Sequence, residues 1–554
     1  MPARKPLLSL AIAVALFVAS LGAAGGRASI SPTDLREWLT YLASDELQGR
    51  EIYTEGLGLA AGYIQTHLQE WGLTPRGGDR SYLQNVEVRS IKSTNRSSVT
   101  VRVGRETRTF TQDDGVSFPS NVGAARSFTV DRVEFAGYAL DAPGANYSDL
   151  RGRNYEGAAV VFLGRSGPQV VDAEQSRRLL GGRGRWLTDQ MKAAAAIGPA
   201  APQQERRQSG TDGSANRPPR PDFVTAQRLD QPVSPSITAG DEFLEFLFSR
   251  ADVKYADLKR RAEAREPLAG FRLENVSLTF TLDAEYEVLR TQRTQNVVAV
   301  VEGRDPQLKS TYVAVGAHYD HVGYADTELT SDNKRPSAPG RVTGGAEQDR
   351  IWNGADDDGS GTVALMAVAR ALAEGERPRR SVLLVWHAGE ERGLLGSRYF
   401  ADYPTVPLDK VVAQLNIDMI GRNRDNQASE SNTVYLVGSD RISTELHDIS
   451  IAANRALERP LTLDYEFNDP ADSEQLYFRS DHYSYAAKGI PVIFFTTGLH
   501  PDYHANTDEV SRIEFPKLTR VTQLVYETAW RLANLDHAPA RDFRGPRAGR
   551  GTRE

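Results

Sequence analysis

The near-continuous apolar runs SVLLVW at Ser381–Trp386 and VVAQLNI at Val411–Ile417 constrain this chain's fold more than any other feature. A strand with one wet face alternates apolar and polar residues, so a run that barely alternates needs cover on both faces. Between Val297 and Trp530, further short apolar runs at 312–317, 433–437 and 492–495 alternate with helical periodicity over 362–373, 393–402, 442–456 and 516–533. This order predicts an α/β fold, with a mixed, mostly parallel sheet and helices on both faces. Ligands of such sheets bind outside the carboxyl ends of the strands.

At 554 residues the chain is too long for one compact core. Arg4 and Lys5 precede an apolar run from Leu7 to Leu21 and then Gly22, Ala23 and Ala24, so residues 1–28 read as a signal peptide. The expected location is therefore exported, periplasmic or extracellular, with no stable membrane span after cleavage. Residues 29–125 form the first part of the main domain, opening on helical patterns over Ser31–Leu47 and Gly56–Trp71. An inserted β-rich module follows over 126–285, with a helix near Asp189–Ile197. Its stretch 203–221 is polar and rich in Gly, Pro and Arg, which predicts a flexible loop. Residues 286–535 complete the main domain, and 536–554 read as a disordered Arg-rich tail. A net charge of −7 gives no reason to expect nucleic acid as a partner.

Chemistry gathers where the strands end. His318, Tyr319, Asp320 and His321 follow the run at 312–317. Asn353–Gly361 reads NGADDDGSG, three consecutive carboxylates bracketed by glycines. His387, Glu390 and Glu391 follow 381–386, and Asp418 follows 411–417. His500, Tyr503, His504 and Asp508 follow the run near 492. Like charges packed into a tight turn are costly unless a cation lies among them. The chain has no cysteine, so any metal must be held by nitrogen and oxygen.

The ordered segments AHYDHVG, NGADDDGSG, HAGEERGLLGS, NIDMIG and YHANTD closely resemble the M28 family of co-catalytic zinc aminopeptidases, and YLASDELQGRE near the start shares the resemblance. GYAL and YSDLRGRNYEGAAVVFLG in the inserted module look like a protease-associated domain. The resemblance implies two Zn²⁺ per chain, with Co²⁺ or Mn²⁺ as substitutes. One would be held by His318, Asp357 and Asp418, the other by Asp357, Glu391 and His504, with Asp357 shared. It makes Glu390 the general base and implies peptide substrates with a free N-terminus.

Other residues have quieter readings. Asp320 orients His318 or a metal-bound water. Asp481 is a capping or pocket residue, and Tyr503 lies beside the expected ligand His504. Asp508 fixes its loop, and Asp356 and Asp358 shape the turn. His321 and His387 read as structural, and His67 as packed in a helix. The long segment 322–352 is expected to form part of the substrate rim, with Trp352 as an apolar contact. Three other activities stay open. A carboxypeptidase-like hydrolase would use Arg392 or Arg422 to grip a carboxylate. The others are a glutaminyl cyclase and a non-catalytic binding protein on the same scaffold.

Overall fold

The computed structural model describes residues 25–142, 145–200, 220–326, 328–332, 334, 339–470, 472 and 474–554. The signal segment through residue 24 and the loop 203–219 lie outside them. No helix among the described residues is long and apolar enough to cross a membrane. The chain forms two compact units: residues 1–86, 293–465 and 480–554 make the first, and 87–292 with 466–479 the second.

The first unit begins with α1 (Pro32–Leu42) and α2 (Glu55–Glu70). Ser31 caps α1 by accepting from Asp34 N, Pro32 sits in the first turn where no donor is needed, and Leu35, Trp38, Leu39 and Leu42 form the buried face. The central sheet contains β1 (Leu83–Asn95), β2 (Ala284–Val301), β3 (Tyr312–His318), β4 (Ser381–His387), β5 (Val411–Ile417), β6 (Thr433–Val437), β7 (Thr462–Asp464) and β8 (Val492–Thr496). Their order across the sheet is β1-β2-β4-β3-β5-β8-β6-β7. β4, β3, β5 and β8 are mutually parallel, while β2 runs antiparallel to β4 and β6 antiparallel to β8. The helices between them are α3 (Gly361–Glu374), α4 (Leu395–Asp402), α5 (Thr444–Arg455), α6 (His482–Ala486) and α7 (Phe515–Asn534).

Every residue of β4 and β5 is buried, as unalternating runs require. Two neighbours on β4 show the cover on each face. Trp386 Nε1 donates to Thr362 O of α3, while the next residue, His387, reaches Tyr485 of α6. Successive strand side chains point to opposite faces, so α3 and α6 cover opposite sides of the sheet. The fold is the mixed α/β sheet expected from the sequence.

The second unit is built on its own ten-stranded sheet. Its boundary differs from the one read from sequence. Ser98–Val103 pairs with Glu106–Gln112 and with Val276–Leu282, which in turn pairs with Arg126–Val130. Val99, Val101 and Val103 bury against the same core as Leu278, Phe280 and Leu282, so this unit begins at Glu87 rather than 126. Ala195–Pro199 is a strand, not part of a helix near 189–197: its small side chains fit between the parallel strands Ala159–Val161 and Ser236–Ala239. The tail is also ordered. Asp440 Oδ2 accepts from the Arg547 and Ala548 N–H groups, and Leu463 and Glu554 exchange backbone hydrogen bonds beside an Arg553–Asp464 ion pair.

Candidate active site

Because β4, β3, β5 and β8 are parallel, their carboxyl ends share one edge of the sheet, and the expected residues meet there. His318 closes β3 in register with His387 of β4. Glu390 and Glu391 follow β4, Asp418 follows β5, and His504 lies on the loop after β8. His318 Nε2 is 3.4 Å from Asp357 Oδ1 and 3.7 Å from Asp418 Oδ1. His504 Nε2 is 3.2 Å from Asp357 Oδ2 and 2.9 Å from Glu391 Oε2. One carboxylate thus turns each oxygen to a different donor group.

The turn around Asp357 is held by its neighbours. Asp508 accepts from the N–H groups of Asp356 and Asp357. Asp358 accepts from Gly361 N and Met419 N with Oδ1 and from His318 N with Oδ2. Asp358 lies close enough to His318 and Asp418 to be mistaken for their partner. Both its oxygens are occupied by backbone donors, however, whereas Asp357 Oδ2 meets no hydrogen-bond donor among the described residues. Asp357 is therefore the carboxylate open to a ligand. Asp356 takes Gly421 N on Oδ1 and faces His500 Nε2 at 3.2 Å with Oδ2.

Arg50 supplies the buried positive charge. It is 1% exposed and donates to Tyr319 O, Leu42 O, Asn353 O and Gly354 O, tying β3's exit to the start of the acidic turn. Burial opposes the Asp357 charge, but His318 and His504 hold its pKa well below the usual carboxylate range. Glu390 goes the other way: burial pushes its carboxyl well up, reinforced by Glu391, Asp418 and Asp481 and opposed by His318. Acids of one strand-end cluster driven apart in this way can take separate roles.

Residues 296–529 match peptidase family M28. That stretch is similar to an M28 peptidase domain. Leucine aminopeptidase 1 of Trichophyton equinum is 28% identical over 240 residues, covering 42% of this chain and 56% of that protein. A probable leucine aminopeptidase of Arthroderma otae is 28% identical over 248 residues, covering 43% and 57%. The chain thus spans just over half the length of these curated relatives. An aminopeptidase from Aneurinibacillus sp. strain AM-1 aligns over 94% of this chain and 98% of its own, at 17% identity and TM-score 0.42.

The donor set at this edge of the sheet fits metal ions. His318 Nδ1 lies 3.1 Å from Asp320 O, which can only accept, so Nδ1 carries a proton and Nε2 is the nitrogen turned to Asp357 and Asp418. Lone pairs facing one another across such gaps repel unless a cation or proton lies between them. Two ligands of a tetrahedral zinc, with bonds of about 2.1 Å, sit about 3.4 Å apart. The His318, Asp357 and Asp418 separations cluster around that value, as do those of His504, Asp357 and Glu391. The arrangement can hold two cations that share Asp357.

The remaining expected residues occupy the surroundings. It is the Asp320 backbone carbonyl that takes the His318 ring proton, while Asp320 Oδ1 accepts from Glu390 N. Asp481 is buried 3.5 Å from His387 Nδ1, and burial pushes its pKa up to about 7. His387 also meets Tyr485 Oη at 3.0 Å. Tyr503 stacks on His504 with ring centroids 3.9 Å apart, and His67 stacks on Trp71. Trp352 is no open contact: it is fully buried with Val322 and Val342, and its Nε1 donates to Arg341 O. An indole this apolar packs under its own loop rather than facing water. Both arginines considered for carboxylate capture are engaged, Arg422 with Asp502 and Asn426 and Arg392 with Glu51. Sequence reasoning missed Arg50, which lay unremarked in YLASDELQGRE, and it gave His500 no partner, whereas the structure sets it against Asp356. It also took His321 as structural, although His321 faces Glu391.

Proposed function

We infer that the protein is an exported zinc-dependent aminopeptidase that hydrolyses the N-terminal peptide bond of peptide substrates. The observation that carries this reading is the Asp357 carboxylate, whose two oxygens face separate donor groups, His318 with Asp418 and His504 with Glu391. Two zinc ions held by these residues would polarise the scissile carbonyl and lower the pKa of a bound water to about 7.

The chain's own residues do the rest. Asp357, Asp418 and Glu391 carry the negative charge that balances the cations. Asp320 O fixes the His318 tautomer, and Ser480 Oγ donates to Asp418 Oδ2 so that Oδ1 faces the centre. Glu390 follows β4 next to Glu391, partly exposed, and its raised proton affinity suits a group that takes the proton of the attacking water and returns it to the leaving amine. Arg422 and Arg392 are occupied within the unit, which favours recognition of a substrate amine over a substrate carboxylate. The module's resemblance to a protease-associated domain makes the second unit an accessory to this peptidase.

Metal analysis of the purified protein, paired with hydrolysis of an aminoacyl-anilide series, tests the reading. About two zincs per chain and release of the anilide from unblocked substrates are expected. Cleavage confined to N-blocked peptides ending in glutamate would overturn the aminopeptidase assignment, and a single metal would favour a cyclase. N-terminal sequencing of protein recovered outside the cytoplasm should find residues 1–28 removed.

A further inference from the structure

We propose that His321 is a third imidazole ligand of the metal centre, giving the cation held by Asp357, Glu391 and His504 four protein ligands against three for its neighbour. This rests on the two-metal reading above.

The His321 side chain is fully buried and faces the shared carboxylates, with Nδ1 3.0 Å from Glu391 Oε1 and 3.8 Å from Asp357 Oδ2. Despite the short approach to Glu391, neither ring nitrogen makes a hydrogen bond to the described residues, and Glu391 Oε1 and Asp357 Oδ2 also lack a donor. A histidine kept merely to orient Glu391 would align an N–H with one oxygen. Here Nδ1 lies 3.0 Å from one oxygen and 3.8 Å from another, each without a hydrogen-bond donor among the described residues. Buried groups left this way need an explanation, and an ion is one. Glu391 offers Oε1 towards His321 and Oε2 towards His504, so one bidentate carboxylate can sit between two imidazoles.

The backbone makes room for the ring. Gly354 has φ +56°, and a Cβ there would come within 2.5 Å of His321 Cγ and Cδ2. His321 N donates to Arg50 O, which fixes where the side chain starts. Four protein ligands make a closed zinc site of the kind that retains its metal, while three leave a position for water or substrate. The assignment therefore makes the two ions unequal: the one between His321, His504, Glu391 and Asp357 would be held more tightly than the one at His318, Asp357 and Asp418.

Zinc titration calorimetry on the metal-stripped full-length protein tests this. The wild type should show two sites of unequal affinity. His321→Ala should weaken the tighter one by at least about 100-fold and leave the other within a few-fold. His321→Gln can still hydrogen-bond Glu391 but is a poor zinc donor, so it should behave like the alanine variant. Wild-type affinity in the glutamine variant would make His321 an orienting residue and overturn the assignment. Should the variants fail to fold, the cobalt-loaded wild type gives the answer alone: three shifted imidazole ring N–H resonances are expected in its proton spectrum, and two would sink the proposal. A wild type that takes up two ions while His321→Ala loses neither overturns this inference but leaves the peptidase reading standing. A wild type that takes up none overturns both.

Discussion

At the scale of single residues, Glu390 and Glu391 are adjacent in the chain and driven in opposite directions. Burial opposes ionisation of both, but His504 brings Glu391 down to about 2, while Glu390 is held up by Glu391, Asp418 and Asp481. Glu390→Gln keeps the shape and removes the proton acceptor. It should cut turnover by about 10²–10⁴-fold with both metals retained, measured by anilide hydrolysis alongside metal analysis; full activity would remove Glu390 from its role. Arg50 is the other decisive residue, since its four carbonyl partners and four neighbouring carboxylates all depend on one guanidinium. Arg50→Leu leaves buried acceptors unpaired and acids uncompensated, which should cost on the order of 3–5 kcal/mol, read as a lower urea midpoint. That acids and imidazoles would gather at this edge was legible from sequence, because they follow the ends of strands expected to be parallel neighbours. Arg50 was not, because its partner Tyr319 is 269 positions away and nothing local announces that reach.

At the scale of elements, the strands were readable and the loops were not. β4 and β5 declare themselves because burial on both faces leaves no alternation to hide. The segment 322–352 looked like a substrate rim because length and glycine content say nothing about what a loop packs on. In the structure it braces the loop that carries His504: Arg341 N donates to His504 O, Thr343 N to Asn506 Oδ1, and Asn506 Nδ2 to Ala346 O and Asp349 O. Asn506 is 1% exposed, and its side chain makes three of these bonds between the two loops. Asn506→Ala removes those bonds and frees His504 to move. The expected result is a loss of about 10–100-fold in zinc affinity, measured by competition with a chromophoric chelator. Unchanged affinity would mean that Arg341 and the backbone hold the loop without it.

For the whole molecule, the sequence order of the two units is interleaved, since 466–479 joins the second unit between two parts of the first. Trp186 and Phe478 meet edge to face within the second unit, with centroids 6.0 Å apart. Reading domains as consecutive blocks could not find this, because it depends on pairing between distant segments. All the residues proposed to bind metal lie in the first unit, and the second has its own core around Val99, Phe135, Leu278 and Phe280. Metal should therefore stabilise one unit and leave the other alone. Without cations, the first unit must keep Asp357, Asp358, Asp418, Glu390 and Glu391 packed together beside His318, His321, His504 and Arg50. A ligand bound only to the folded state stabilises it by about 4 kcal/mol at a free concentration 1,000 times Kd. For a unit this large, that corresponds to a shift on the order of 10 °C. Scanning calorimetry should resolve two transitions. Chelator should lower one of them, zinc should restore it, and the other should stay in place. If both transitions move together, the two units do not unfold independently. If neither moves, the buried acids are balanced by protons rather than metal, and the centre described above is not a metal site.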